Sequence, residues 1–152
     1  MAAQQSADSQ NVDSQNVDRA HRYSCRVRWS DVDSYGHVNN VKYFEYFQEA
    51  RIAFLSHLTH SGAGETDRGV VVARIDVDYR KPILFRTEPF EILTWVVRVG
   101  TSSYDLEAEI RDGEEVLSRA RAVIVAFDQG TQRSRPLSDT ERERLSELLV
   151  AS

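Results

Sequence analysis

A chain of 152 residues, 41% hydrophobic and 28% charged, has the composition of one globular domain. Its formal net charge of −5 argues against a nucleic-acid partner, which would want a basic face, and its one cysteine, Cys25, excludes an internal disulfide and a cysteine-based metal cage. Apolar runs such as Val70 to Ala73 are too short to span a membrane, and the N-terminus carries no basic-then-apolar leader, so a reducing, cytoplasmic setting is expected.

The segment 1–20 stands apart. Asp8-Ser9-Gln10-Asn11-Val12 repeats directly as Asp13-Ser14-Gln15-Asn16-Val17, with almost no large apolar side chains. Such a segment cannot offset its own ordering entropy, so a disordered tail is expected over 1–20, followed by one domain over 21–152. Tyr23, Cys25, Val27 and Trp29 then alternate with Arg22, Ser24, Arg26 and Arg28. That period of two predicts a strand with one buried face. A loop follows, Asp31-Val32-Asp33-Ser34-Tyr35-Gly36-His37-Val38-Asn39. From about Asn40 to Leu58 the apolar residues Tyr43, Phe44, Phe47, Ala50, Phe54, Leu55 and Leu58 recur at helical steps, with Asn39 or Asn40 as N-cap and Ser61-Gly62-Ala63-Gly64 as breaker.

Four strands are expected next. Ala73, Ile75, Val77 and Tyr79 alternate up to Pro82. Phe90 to Val99 is apolar on both parities, the mark of a strand covered on both faces. Tyr104, Leu106, Ala108 and Ile110 alternate as far as Asp112-Gly113, a hairpin signal, and Val116 to Phe127 returns. Ser138-Asp139-Thr140-Glu141 has capping-box spacing ahead of Leu145, Leu148 and Leu149, which predicts a short final helix. One long apolar helix against a largely antiparallel sheet is an α+β layer arrangement, and the aromatic helix stripe suggests a sheet curled around it.

The stretch from Arg28 to Arg51, with Asp31-Val32-Asp33-Ser34-Tyr35-Gly36 leading into Asn40, Tyr43 and Ala50-Arg51, resembles the hotdog thioesterases of the 4-hydroxybenzoyl-CoA thioesterase-like group. The wider resemblance runs over about residues 21–128. It implies the hotdog fold, a curved antiparallel sheet wrapped around one long helix. It also implies hydrolysis of an acyl-CoA thioester to free acid and CoA, in a homodimer or homotetramer with its sites between subunits. The catalytic carboxylate of that group aligns with Asp33, and the backbone N–H that polarises the thioester carbonyl aligns with Asn40 or a residue beside it. Gly36, His37, Val38, Asn39 and Tyr43 stand where substrate would be held. Where several relatives have His or Tyr, this chain has Asn40, and its histidine comes earlier, in Gly36-His37-Val38-Asn39.

The chemistry fits those residue types. A thiolate leaves near neutral pH with little proton assistance. Hydrolysis then needs a carboxylate as nucleophile or general base and a donor for the developing oxyanion. A helix N-terminus supplies free N–H groups and a favourable dipole. The plainer alternative for Asp33 is a loop or capping carboxylate, and Asp31 reads as structural. His37 could bond the acyl carbonyl, orient Asp33, or pack against a neighbouring subunit. His57 and His60 fall where a cation suits a helix C-terminus. Arg80-Lys81, Arg98 and Ser102-Ser103 are candidates for the CoA phosphates or pantetheine, or surface residues. No metal site and no cofactor are expected. The alternative from another class is a hotdog protein that binds or senses acyl-CoA without cleaving it. A hotdog hydratase is disfavoured, because neither Asp33 nor Asp31 stands five residues before His37.

Overall fold

The computed structural model describes residues 19–60 and 69–150, and the side chains of Thr59 and His60 fall outside the description. Strand β1, His21–Cys25, leads through a 3-10 turn at Trp29–Asp31 into helix α1, Asn40–His60. Strands β2 (Val70–Tyr79), β3 (Phe90–Val99), β4 (Ser103–Asp112) and β5 (Glu115–Asp128) follow, then the short β6 (Arg133–Ser134) and helix α2, Asp139–Leu148. The main strand order is β1-β3-β4-β5-β2, antiparallel throughout, with β6 paired to the end of β5. The sheet is open, α1 packs against it, and the architecture is the α+β hotdog arrangement.

Local chemistry explains the elements. Gly113 adopts φ +62°, and the two-residue turn it opens joins Asp112 to its partner Glu115. Ser138 caps α2: its hydroxyl accepts from the Glu141 N–H at 3.1 Å while the Glu141 carboxylate accepts from the Ser138 N–H at 3.0 Å. β3 is covered on both faces as its composition predicts, with Ile92, Leu93, Trp95 and Val96 all buried. Ala73 is the extra residue of a bulge that shifts the β2 register between Val72 and Arg74.

Three expectations change. β1 ends at Cys25, so the alternation does not carry Trp29 inside; Trp29 is 74% exposed and stands edge-on to Phe85 at 5.1 Å. Val27 is still buried, but the 3-10 turn begins at Trp29 itself and swings that side chain outward. On α1, Phe44 faces outward at 40% exposure, while Tyr46 is buried because its hydroxyl has a partner inside. Arg19 and Ala20 belong with the domain: the Arg19 guanidinium bonds the Leu149 carbonyl, and Ala20 packs on Leu93, Trp95 and Val150. The rest of the expected tail, the breaker Ser61-Gly62-Ala63-Gly64 and the His60 side chain lie outside the described residues.

The core beneath α1 has two clusters. Tyr43, Tyr46, Phe47 and Ala50 pack with Cys25, Val27, Phe90, Ile92 and Ile110. Toward the C-terminal end of the helix, Phe54 packs with Val96, Tyr104, Leu106 and Ile124. β2 is a sheet edge, and Val71, Val72 and Tyr79 on it are exposed.

Candidate active site

The loop before α1 is a closed turn. Asp33 N–H donates to the His37 carbonyl at 2.8 Å, and Gly36 N–H donates to the Asp33 carbonyl at 3.1 Å. Gly36 sits at φ +82°, a conformation that a residue with Cβ adopts only with strain. Val32 and Val38 bridge at the base of the turn, and the Asn39 N–H donates to the Asp31 carbonyl at 2.9 Å. The segment after β2 holds the turn from the other side: Val38 N–H donates to the Ile83 carbonyl at 2.8 Å, and His37 bridges to Leu84.

The two aspartates of this loop live in different surroundings. Asp31 is 1% exposed. Its carboxylate accepts from the Tyr46 hydroxyl at 2.7 Å and the Arg28 N–H at 3.0 Å, and pairs with the Arg28 guanidinium at 3.2 Å. Burial pushes its pKa up, but the Tyr46 and Arg28 hydrogen bonds outweigh that and hold it below the ordinary carboxylate range. Asp33 is half-buried. Its Oδ1 accepts from the N–H groups of Tyr35 at 2.9 Å and His37 at 3.4 Å, and its Oδ2 has no partner among the described residues.

Asn39 is the helix cap: its side-chain oxygen accepts from the Val41 N–H at 3.1 Å and its carbonyl from the Lys42 N–H at 2.9 Å. The Asn40 N–H has no partner among the described residues. Tyr79 closes over this end of α1. Its hydroxyl donates to the Asn40 carbonyl at 2.9 Å, and its ring meets Tyr43 edge-on at 4.8 Å. Tyr43 is 2% exposed, with its hydroxyl accepting from the Ile83 N–H at 3.2 Å. Asp33, Gly36, His37, Asn39 and Asn40 thus gather on one exposed rim, with the Val38 and Tyr43 side chains in the core beneath it.

Other candidates are engaged elsewhere. The Arg98 guanidinium donates to Ser103 Oγ at 2.8 Å and Asp105 Oδ1 at 2.9 Å, and Lys81 pairs with Glu115 at 2.5 Å. The His57 ring lies tilted against His21, centroids 5.4 Å apart, and the pKa of His21 is lowered by burial and by that neighbour. Cys25 is no nucleophile: burial, with the Asp31 charge beside it, pushes its thiol up to about 12. Among the described residues no cluster of His, Cys, Asp and Glu could hold a metal ion. Nor is any helix among them long and apolar enough to cross a membrane. Sequence reasoning missed Tyr79 and the Ile83-Leu84 strap as parts of the rim. Their signals, a strand-end tyrosine and two apolar residues just past Pro82, acquire meaning only once β2 is placed beside α1.

An antiparallel sheet packed on one long helix is the hotdog architecture of the thioesterases. Residues 27–145 match the model of the thioesterase-like superfamily, and the chain belongs to that family. It is 32% identical over 124 residues to the Bacillus subtilis (strain 168) protein YsmA, covering 78% of this chain and 80% of that one. It is 29% identical over 131 residues to the long-chain acyl-CoA thioesterase FadM of Escherichia coli (strain K12), covering 82% and 96%. Among solved structures, a thioesterase from Thermus thermophilus complexed with coenzyme A and Zn superposes with a TM-score of 0.73 at 29% identity, covering 88% and 96%.

Proposed function

We propose that this protein hydrolyses acyl-CoA thioesters, with Asp33 as nucleophile or general base and the Asn40 N–H as oxyanion donor. One observation carries the reading. Asp33 has one carboxylate oxygen held by two loop amides and the other without a partner among the described residues, on the turn feeding a helix whose Asn40 N–H is likewise unpartnered. The thioester carbonyl would accept from the Asn40 N–H, where the helix dipole favours the developing negative charge. Asp33 would attack the carbonyl carbon, or take a proton from the attacking water, and CoA would leave as its thiolate. Gly36 and His37 border the approach of the substrate, while Val38, Asn39 and Tyr43 hold the rim in shape. The long-chain acyl-CoA thioesterase and the coenzyme A complex among the relatives support CoA as the carrier.

The working form is at least a homodimer, acting in the cytoplasm. The β2 edge supports a second copy pairing there: it leaves Val71 and Val72 exposed beside unpaired backbone groups. The test is a panel of acyl-CoAs of increasing chain length, straight and aromatic, with free thiol detected and light scattering on the same sample. Thiol release by an oligomer is expected. Saturable acyl-CoA binding without release would overturn hydrolysis, and a fully active monomer would overturn the assembly.

A further inference from the structure

The end of β2 and the chain just after it touch both halves of the candidate site. Tyr79, the last residue of β2, reaches the helix: its hydroxyl donates to the Asn40 carbonyl at 2.9 Å, and its ring stands edge-on to Tyr43. A little further on, Ile83 and Leu84 reach the turn. The Ile83 carbonyl accepts from the Val38 N–H at 2.8 Å, and Leu84 bridges to His37, whose carbonyl accepts from the Asp33 N–H at 2.8 Å. One short stretch, Tyr79 to Leu84, is therefore bonded to the residue that carries the unpartnered N–H and to the turn that carries the carboxylate.

That stretch is itself anchored. Tyr79 pairs with Ser118 on β5, and the Ser118 hydroxyl donates to the Asp78 carbonyl at 2.7 Å. The Arg80 and Lys81 N–H groups both donate to the Leu117 carbonyl at 3.0 Å. Pro82 fixes its own φ and restricts Lys81 before it. Ile83 is buried, and its N–H donates to the Tyr43 hydroxyl at 3.2 Å. The start of α1 has weaker holds of its own, since the first turn of a helix is where it frays. Asn39, Asn40 and Val41 are all exposed, so packing does little to fix them. Among the described residues, the hydrogen bond that reaches Asn40 from outside the helix is that of Tyr79.

We propose that Tyr79 is a positioning residue: it holds the first turn of α1 so that the Asn40 N–H stays aimed at the developing oxyanion, while the Tyr79–Leu84 stretch sets the spacing between that N–H and Asp33. The inference rests on the proposed hydrolysis. Tyr79 acts through Asn40 and makes no contact with the substrate. A donor fixed in advance stabilises an oxyanion without reorganising during the reaction, and a misplacement of about 1 Å can cost about a hundredfold in rate. Burial raises the pKa of the Tyr79 hydroxyl, which therefore stays protonated, and a donor, well above neutral pH.

The test is Tyr79→Phe, which keeps the ring against Tyr43 and removes only the hydroxyl; at 45% exposure the position accommodates it. With dodecanoyl-CoA, kcat should fall about tenfold or more and KM change less than about twofold, because the Asn40 donor acts on the transition state. The melting temperature should drop by no more than a few degrees, and the loss of rate should persist on cooling well below the melt. A second readout is the carbonyl stretch of dodecanoyl-CoA, isotope-labelled at that carbonyl and bound to Asp33→Asn, where turnover is slow. The band should lie below its position in water, and adding Tyr79→Phe should return it toward that position. A kcat unchanged by Tyr79→Phe, a loss that vanishes on cooling, or a band that Tyr79→Phe leaves in place overturns the proposal. A lowered band that Tyr79→Phe relaxes, with no thiol released by the wild type, sustains the role of Tyr79 and sinks the hydrolysis. Thiol release that Tyr79→Phe leaves intact does the reverse.

Discussion

The loop ahead of α1 has two limbs built on opposite terms. The first, Arg28 to Val32, is anchored: Asp31 is buried, and its carboxylate is taken up by a hydroxyl, a backbone N–H and a guanidinium. The second, Asp33 to Asn39, is turned outward, and Asp33 keeps one carboxylate oxygen without a partner among the described residues. Two identical side chains, separated by Val32 alone, thus meet different surroundings. A buried carboxylate held by a hydroxyl, a backbone N–H and an ion pair stabilises its surroundings and lies out of reach of a substrate. One on the exposed rim, oriented by two loop amides, stays accessible. The difference lies in the neighbours, above all in Tyr46, which reaches Asp31 from the second turn of the helix.

Substitutions can break that contrast. Asp33→Asn is expected to lower turnover by about two to four orders of magnitude, with the melting temperature nearly unchanged and acyl-CoA binding retained. Asp31→Asn should do the opposite, costing about 1–3 kcal/mol of stability through its weakened buried hydrogen bonds, with a smaller loss of rate. Thermal melts and steady-state rates on both variants check this. A reversal of the two effects would shift the site to Asp31, and full activity in both would remove the loop from the mechanism.

The anchored limb also has a pH signature. The folded pKa of Asp31 lies below its unfolded value, so its contribution is complete above about pH 3.9 and is lost as pH falls through the folded value. Asp31→Asn should flatten the acid limb of a stability profile. It will not abolish it, because Asp105 and Glu141 are lowered in the same direction by their arginine partners. Gly36→Ala in the outward limb should cost about 1–2 kcal/mol, all of it backbone strain at φ +82°, since an added Cβ there would meet nothing within 4 Å. The smallest effect belongs to Cys25. Thiol reagents at pH 8 should leave it unmodified in the folded protein and label it promptly on unfolding, because the buried thiol stays protonated.

Much of this was legible in the chain. Period-two runs marked β2 and β4, the run apolar on both parities marked β3, Asp112-Gly113 marked the hairpin into β5, and the aromatic stripe marked α1, because each is a local pattern imposed by burial. The Asp33 turn and the Asn39 cap were legible too, since turn and cap chemistry act within a few residues. The parts that depend on distant strands were not. Nothing near Trp29 announces that β1 stops at Cys25, and nothing near Tyr79 announces that it bonds the Asn40 carbonyl.

The strand order carries a consequence for how the molecule forms. β4 and β5 meet across a two-residue turn, so their pairing costs little loop closure. β1 must find β3 across a long detour: Arg22 and its partner Glu91 are 69 residues apart. Contacts of that separation tend to be made late. The expected nucleus is therefore the β4–β5 hairpin with β3 laid against it, while β1 and the Asp31–Asn39 loop behind it dock near the end. Substitutions at Ala108 or Ile110 should slow folding, whereas those at Tyr23 or Val38 should chiefly hasten unfolding, as chevron analysis would resolve. In a refolding experiment, hydrolytic activity would then be the last signal to return, after the sheet's own spectroscopic signature is complete.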